Sequence, residues 1–214
     1  MYNAAGHDPW QLKGGTLMIS LKRWMLPAFV SFLLLIPFTV RAGEPMTQLS
    51  ASINEFVAIL SNTSVAELQA TGLPEKAREL VFGRFDFSEM TKRSLGPHWK
   101  SLDQAQQREF IDAFTHRLLV SYGKTVRATG KEKIEFVREV RDGKEARVET
   151  TLISGNGEQS SIDYRLHDVN GQWMVYDVVI DKVGMVNNYR SQFERVIAKS
   201  SVLELLRKMK DQDS

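Results

Sequence analysis

"YDVVIDKVGMVNNYRSQF", residues 176–193, begins as a strand and ends as a helix. Val178 and Ile180 follow Tyr176 at every second position, whereas Tyr189 and Phe193 recur at the spacing of one helical turn. The change of period falls at the polar, amide-rich stretch that ends in Asn187-Asn188, where either asparagine would cap the helix. A sheet that runs straight into a helix leaves the fold class to whatever precedes it.

Upstream, period 2 continues back to Gly130. The apolar positions are Ile134, Phe136 and Val140, then Ala146, Val148 and Leu152, then Ile162, Tyr164 and Leu166, then Met174, Tyr176, Val178 and Ile180, all even-numbered. Turn signals separate them at Asp142-Gly143, Gly155-Asn156-Gly157 and Asn170-Gly171, which predicts a four-stranded antiparallel meander. Odd positions in the first three strands are mostly charged, among them Glu135, Glu139, Arg147, Glu149, Asp163 and Arg165, so one face meets water and the other needs a cover. In the last strand Trp173, Val175 and Val179 make the odd face apolar as well, which predicts partial cover on both sides.

Before Gly130 the period is helical. Leu49, Ile53, Phe56, Val57 and Leu60 outline an amphipathic first helix, and Ser64 to Glu67 has the spacing of a capping box. "EKARELVFGRFDFSEMTKRSLGPHW" reads as two short helices, the second capped by Asp86 or Ser88 and ended by Gly96-Pro97. A box at Ser101–Gln104 opens the longest helix, to about Ala128, with Phe110, Phe114, Leu118 and Tyr122 on one face. Ser201–Glu204 boxes a last helix. The expected fold is α+β: N-terminal and C-terminal helices packed on one face of a curved four-stranded antiparallel sheet, enclosing an apolar space.

The first 42 residues stand apart. Met18 opens a second N-terminus with basic Lys22-Arg23, an apolar stretch from Met25 to Val40 and a small-residue cleavage site at Val40-Arg41-Ala42. Residues 1–42 therefore read as a signal peptide whose true start is Met18, with Lys13-Gly14-Gly15 a translated ribosome-binding site, and 43–214 as one domain. The apolar stretch is short for a membrane span and carries Pro27 and Pro37. Without residues 1–42, which hold four basic and one acidic side chain, 28 Lys plus Arg fall to 24 and 26 Asp plus Glu to 25. A chain with the resulting net charge of −1 and no basic stripe is a poor nucleic-acid binder. No cysteine occurs, so disulfides and thiol chemistry are excluded.

Chemistry-bearing motifs are sparse. His98, His116 and His167 lack metal-ligand spacing, and there is no P-loop, nucleophile elbow or dinucleotide fingerprint. Asp177 and Asp181 share the odd face of the last strand as a carboxylate pair. Large apolar residues are abundant, and they either fill a core or line a ligand cavity.

At "FDFSEMTKRSLGPHWKSLDQAQQREFIDAF" (85–114) and again at "YRLHDVNGQWMVYDVVIDKVGMVNNYRSQF" (164–193) the chain resembles the MlaC family of periplasmic phospholipid-binding proteins, also called the toluene-tolerance family. The second block carries Trp173, Tyr176-Asp177-Val178 and Asn188 to Phe193 in the family's order. The resemblance implies a monomeric periplasmic lipid carrier of a Gram-negative cell, exchanging lipid between an outer-membrane lipoprotein complex and an inner-membrane ABC transporter complex to maintain outer-membrane asymmetry. It implies a bound phospholipid and no other cofactor, metal or nucleic acid. Tails would lie against Phe82, Phe85, Trp99, Phe110, Phe114, Leu118, Val148, Tyr164, Met174, Tyr176, Val178, Ile180, Tyr189 and Phe193, with Asn188 and Arg190 structural or at the mouth. Asp181 to Met185 departs from the family's glycine-hydrophobic-serine step, which leaves the headgroup open, and a hopanoid or other polycyclic lipid is the alternative ligand.

A carrier answers a physical need, since exposing roughly thirty methylenes of a two-tailed lipid to water costs on the order of 20 kcal/mol. Two other classes compete with it. An α+β enzyme would use Asp163, Asp177 or Tyr176 on a small hydrophobic substrate, and needs a buried carboxylate with a raised pKa. An interaction subunit with a solid core would dock through Lys124, Arg127, Lys131 and Lys133.

Overall fold

The structure, a computed structural model, describes residues 44–64, 66–68, 72–126 and 132–211. The expected leader, Arg127 and Lys131 lie outside the described residues, as do the side chains of Tyr122 and Lys124. Helices α1 (Glu44–Ser61), α2 (Glu75–Arg84), α3 (Phe87–Leu95) and α4 (Gln104–Val126) precede the sheet, with a 3-10 turn over Gly96–Ser101. Strands β1 (Lys133–Asp142), β2 (Glu145–Ile153), β3 (Gln159–Val169) and β4 (Gln172–Ile180) form the antiparallel meander, and α5 (Met185–Ile197) and α6 (Val202–Asp211) follow. The α+β expectation holds. A fifth strand, β5 (Val183–Gly184), adds two residues at the β4 edge, because Asp181 and Lys182 both take positive φ (45° and 70°) and close a two-residue hairpin.

Two bulges break the even-numbered alternation. Between Phe136 and Arg138 the β1–β2 register shifts, so Glu139 rather than Val140 pairs with inward-facing Val148, and Val140 is left exposed. Between β3 and β4 the shift leaves Tyr176 without its own partner: Arg165 pairs with Asp177 and Leu166 with Val175. Trp173 and Val175 therefore share the inner face with Val178 and Ile180, in one cluster with Leu49, Ala146, Val148, Tyr164 and Leu166. Met174 and Tyr176, expected on that face, stand on the other. A one-residue insertion reverses every side chain on one side of it.

Helix α1 lies across the inner face, held at its start. Glu139 Oε2 accepts from the Met46 N–H at 2.8 Å, and the Gln48 side chain exchanges hydrogen bonds with the Gly171 carbonyl and the Trp173 N–H. A carboxylate at a helix N-terminus meets unpaired N–H groups and the positive dipole end. Beyond β4 the helices pack on one another. Phe110, Phe114, Tyr189 and Phe193 centre a second cluster with Met90, Leu95, Leu205 and Met209. Phe114 sits edge-on to Tyr189 at 4.8 Å and to Phe193 at 5.4 Å, the favoured aromatic geometry.

Caps follow the sequence in part. Asp86 Oδ1 accepts from the Glu89 N–H, and Ser201 caps α6 as expected. The box at the start of α4 is Asp103–Gln106, with both reciprocal bonds made, rather than Ser101–Gln104. Neither Asn187 nor Asn188 caps α5: the N-cap is Gly184, and Asp177 on β4 accepts from the Val186 N–H at 2.9 Å. A Cβ at Gly184 would come within 3.3 Å of the Asp177 carboxylate, so the glycine lets the strand residue reach the helix end.

Candidate functional site

Between the inner sheet face and α1 to α4 lies a cavity of about 480 Å³. Ile53, Phe56, Val57 and Leu60 of α1, Leu80 and Val81 of α2, and Leu118 and Leu119 of α4 form one wall. Ile134, Leu152, Ile162, Tyr164, Val178 and Ile180 form the sheet wall, with Phe85, Phe87, Met90 and Met185 between. Such a volume suits a small-molecule or lipid-tail site rather than a packing defect.

The helices bear this out in their burial. Of the α1 side chains only Pro45 and Leu49 are buried, and of α2 only Ala77, although both helices carry apolar residues facing the sheet. Their apolar faces border empty space.

Few polar groups interrupt the wall. The Tyr164 hydroxyl has no hydrogen-bond partner among the described residues, and burial pushes its pKa up to about 12. Arg84 also borders the cavity, donating to Ser52 Oγ at 2.9 Å, to Gln48 Oε1 at 3.1 Å and to the Trp173 carbonyl at 2.8 Å. Partial burial pulls its pKa down.

The structure brings five of the fourteen sequence-derived tail contacts to the cavity: Phe85, Leu118, Tyr164, Val178 and Ile180. The other nine lie elsewhere. Phe110, Phe114, Tyr189 and Phe193 fill the helical cluster with Trp99 packed against it, Val148 is sealed under α1, and Phe82 is half exposed beside Phe87. Met174 and Tyr176 are turned away by the β4 bulge. Not among the fourteen are the α1 and α2 residues and Ile134, Leu152 and Ile162; their apolar periodicity was visible, but not that these helices and the sheet face each other across empty space.

On the outer side, the Arg93 guanidinium lies 3.9 Å over the Tyr176 ring and pairs with Glu89 and Glu145. His167 meets Asp86 at 3.0 Å. Asp177 is the buried carboxylate that an enzyme reading requires, 1% exposed, and burial raises its pKa against the pull of the Val186 N–H and Arg165. Its oxygens are engaged, one capping α5 and the other 3.3 Å from Arg165, and it does not border the cavity. Asn188 is exposed on α5, whereas Arg190 donates to the Arg93 carbonyl at the C-terminal end of α3. No group of three or more metal-ligating side chains occurs among the described residues.

Residues 50–211 match the MlaC protein family. The chain belongs to that family. Over 205 residues it is 23% identical to the intermembrane phospholipid transport system binding protein MlaC of Haemophilus influenzae, covering 92% of this chain and 96% of that protein. A phospholipid-binding protein from Ralstonia solanacearum, solved in complex with a phospholipid, shares the fold with a TM-score of 0.68 at 20% identity, over 78% of this chain and 95% of that one. Among the described residues of this MlaC-family chain no helix is long and apolar enough to cross a membrane.

Proposed function

We propose that this protein is a soluble periplasmic carrier that holds phospholipid tails in the cavity and passes the lipid between an outer-membrane complex and an inner-membrane ABC transporter complex, maintaining outer-membrane asymmetry. One observation carries the reading: the 480 Å³ cavity is walled by the apolar faces of α1 and α2, which protein alone leaves uncovered. Tails complete what would otherwise be exposed apolar surface. The names of the relatives support the same ligand class. In this reading residues 1–42 are an export signal, 43–214 act as a monomer, and the protein needs neither metal nor catalyst.

The test is organic extraction of the purified protein followed by mass spectrometry, on wild type and two variants. Val178→Glu sets an unsolvated charge in the cavity wall and should leave little lipid in the extract. Val137→Glu, at an exposed bulge residue, should retain it. Wild type without lipid, or equal retention by both variants, refutes the carrier.

A further inference from the structure

A second, smaller recess of about 220 Å³ opens between α1 and α2, lined by Ser52, Lys76, Glu79, Leu80, Gly83 and Arg84. Ser52, Leu80 and Arg84 also border the main cavity, so the two spaces adjoin. The first is mostly apolar, with Arg84 and Glu132 the charged groups on its lining, while half of the second's lining is charged: Lys76, Glu79 and Arg84.

Arg84 is the group at their boundary. Among the described residues no carboxylate pairs with it; its bonds all run from Nε and Nη1 to neutral acceptors, which leaves the Nη2 edge for an incoming oxygen. A partly buried guanidinium held in place by neutral groups retains its full charge for an anion, and its fork matches phosphate oxygens. Glu79, exposed in the same recess, has no cationic partner among the described residues. Lys76 is already paired with Glu55 at 3.1 Å. Among the described residues the recess thus offers Arg84, paired with no carboxylate, where it meets the main cavity, and Glu79, paired with no cation, on the recess lining alone.

That order, hydrocarbon then positive then negative, is complementary to tails, phosphodiester and ammonium. We infer that the recess between α1 and α2 is a headgroup subsite for a zwitterionic phospholipid, Arg84 receiving the phosphate and Glu79 the headgroup ammonium. The inference rests on the carrier reading above and adds to it a headgroup preference. An anionic lipid lacking an amine would meet Glu79 unpaired and bind less well.

The experiment incubates the protein with vesicles of equimolar phosphatidylethanolamine and phosphatidylglycerol, reisolates it and measures the headgroup ratio in its extract. Wild type should be enriched in phosphatidylethanolamine. Glu79→Gln should lower the bound ratio about two- to five-fold, the range an exposed ion pair supplies. Arg84→Lys should lower the share of phospholipid relative to diacylglycerol added to the same vesicles. Because Arg84 also ties α2 to α1 and β4, Glu79→Gln remains decisive if Arg84 variants misfold. Lipid-loaded wild type showing the vesicles' own ratio, or Glu79→Gln showing the wild-type ratio, overturns the subsite while leaving the carrier standing. Protein that takes up no lipid overturns both.

Discussion

Asp177 is 1% exposed where β4 meets α5, one of its oxygens accepting from the Val186 N–H and the other lying 3.3 Å from the Arg165 guanidinium. The bulge beside it and the close approach of Gly184 set it against the first turn of α5. Burial raises its pKa in the fold, so the folded state binds the proton more tightly than the unfolded chain. The stability this contributes is fully present below the ordinary pKa of 3.8 and is lost as pH rises through the raised value. Asp177→Asn removes the titration. In thermal melts across this range, the margin of wild type over Asp177→Asn should be widest at the acid end and narrow as pH rises. A margin that stays constant with pH would show that the carboxylate keeps its ordinary pKa in the fold.

At the scale of elements, turns are where sequence and structure agree most closely. Asn170-Gly171 forms the expected two-residue hairpin with both φ angles positive, at 55° and 88°. Asp181-Lys182 forms the same turn without a glycine, with Lys182 at φ 70°. A left-handed lysine costs about 1–2 kcal/mol, of which glycine would return part to unfolded-chain entropy, leaving a net gain of about 0.5–1 kcal/mol for Lys182→Gly. Thermal denaturation should show the variant melting about 1–4 °C higher, and an unchanged or lower midpoint would contradict the strain. The helices, the meander and the α+β class were equally legible, since each rests on local period and turn chemistry. The bulges were not. Val137 and Tyr176 carry no composition that marks an inserted residue, yet each reverses the facing of its neighbours, which is why Val140, Met174 and Tyr176 were placed on the wrong side. For a similar reason α1 read correctly as amphipathic while its role in the cavity stayed hidden: a helix facing a core and a helix facing a void have the same apolar spacing.

For the whole molecule the consequence of that void is a stability that depends on what fills it. Phe114 is 0% exposed inside the helical cluster, touching Tyr189 and Phe193, so its truncation to alanine should cost about 3–5 kcal/mol whether or not the cavity is occupied. Phe56 projects from α1 into the cavity wall and is only partly buried by protein. In delipidated protein part of its surface borders empty space, and Phe56→Ala should cost less than that range. With tails in place the same ring is packed on both sides, and ligand binding adds to stability by mass action, so the variant should lose more in the loaded form. Chemical denaturation of both variants, each measured delipidated and after reloading from vesicles, gives four differences from wild type. The proposed carrier role requires the cost of Phe56→Ala to grow on loading while that of Phe114→Ala stays level. If Phe56→Ala costs as much in the stripped protein as in the loaded one, α1 is packed on protein alone and its apolar face is ordinary core.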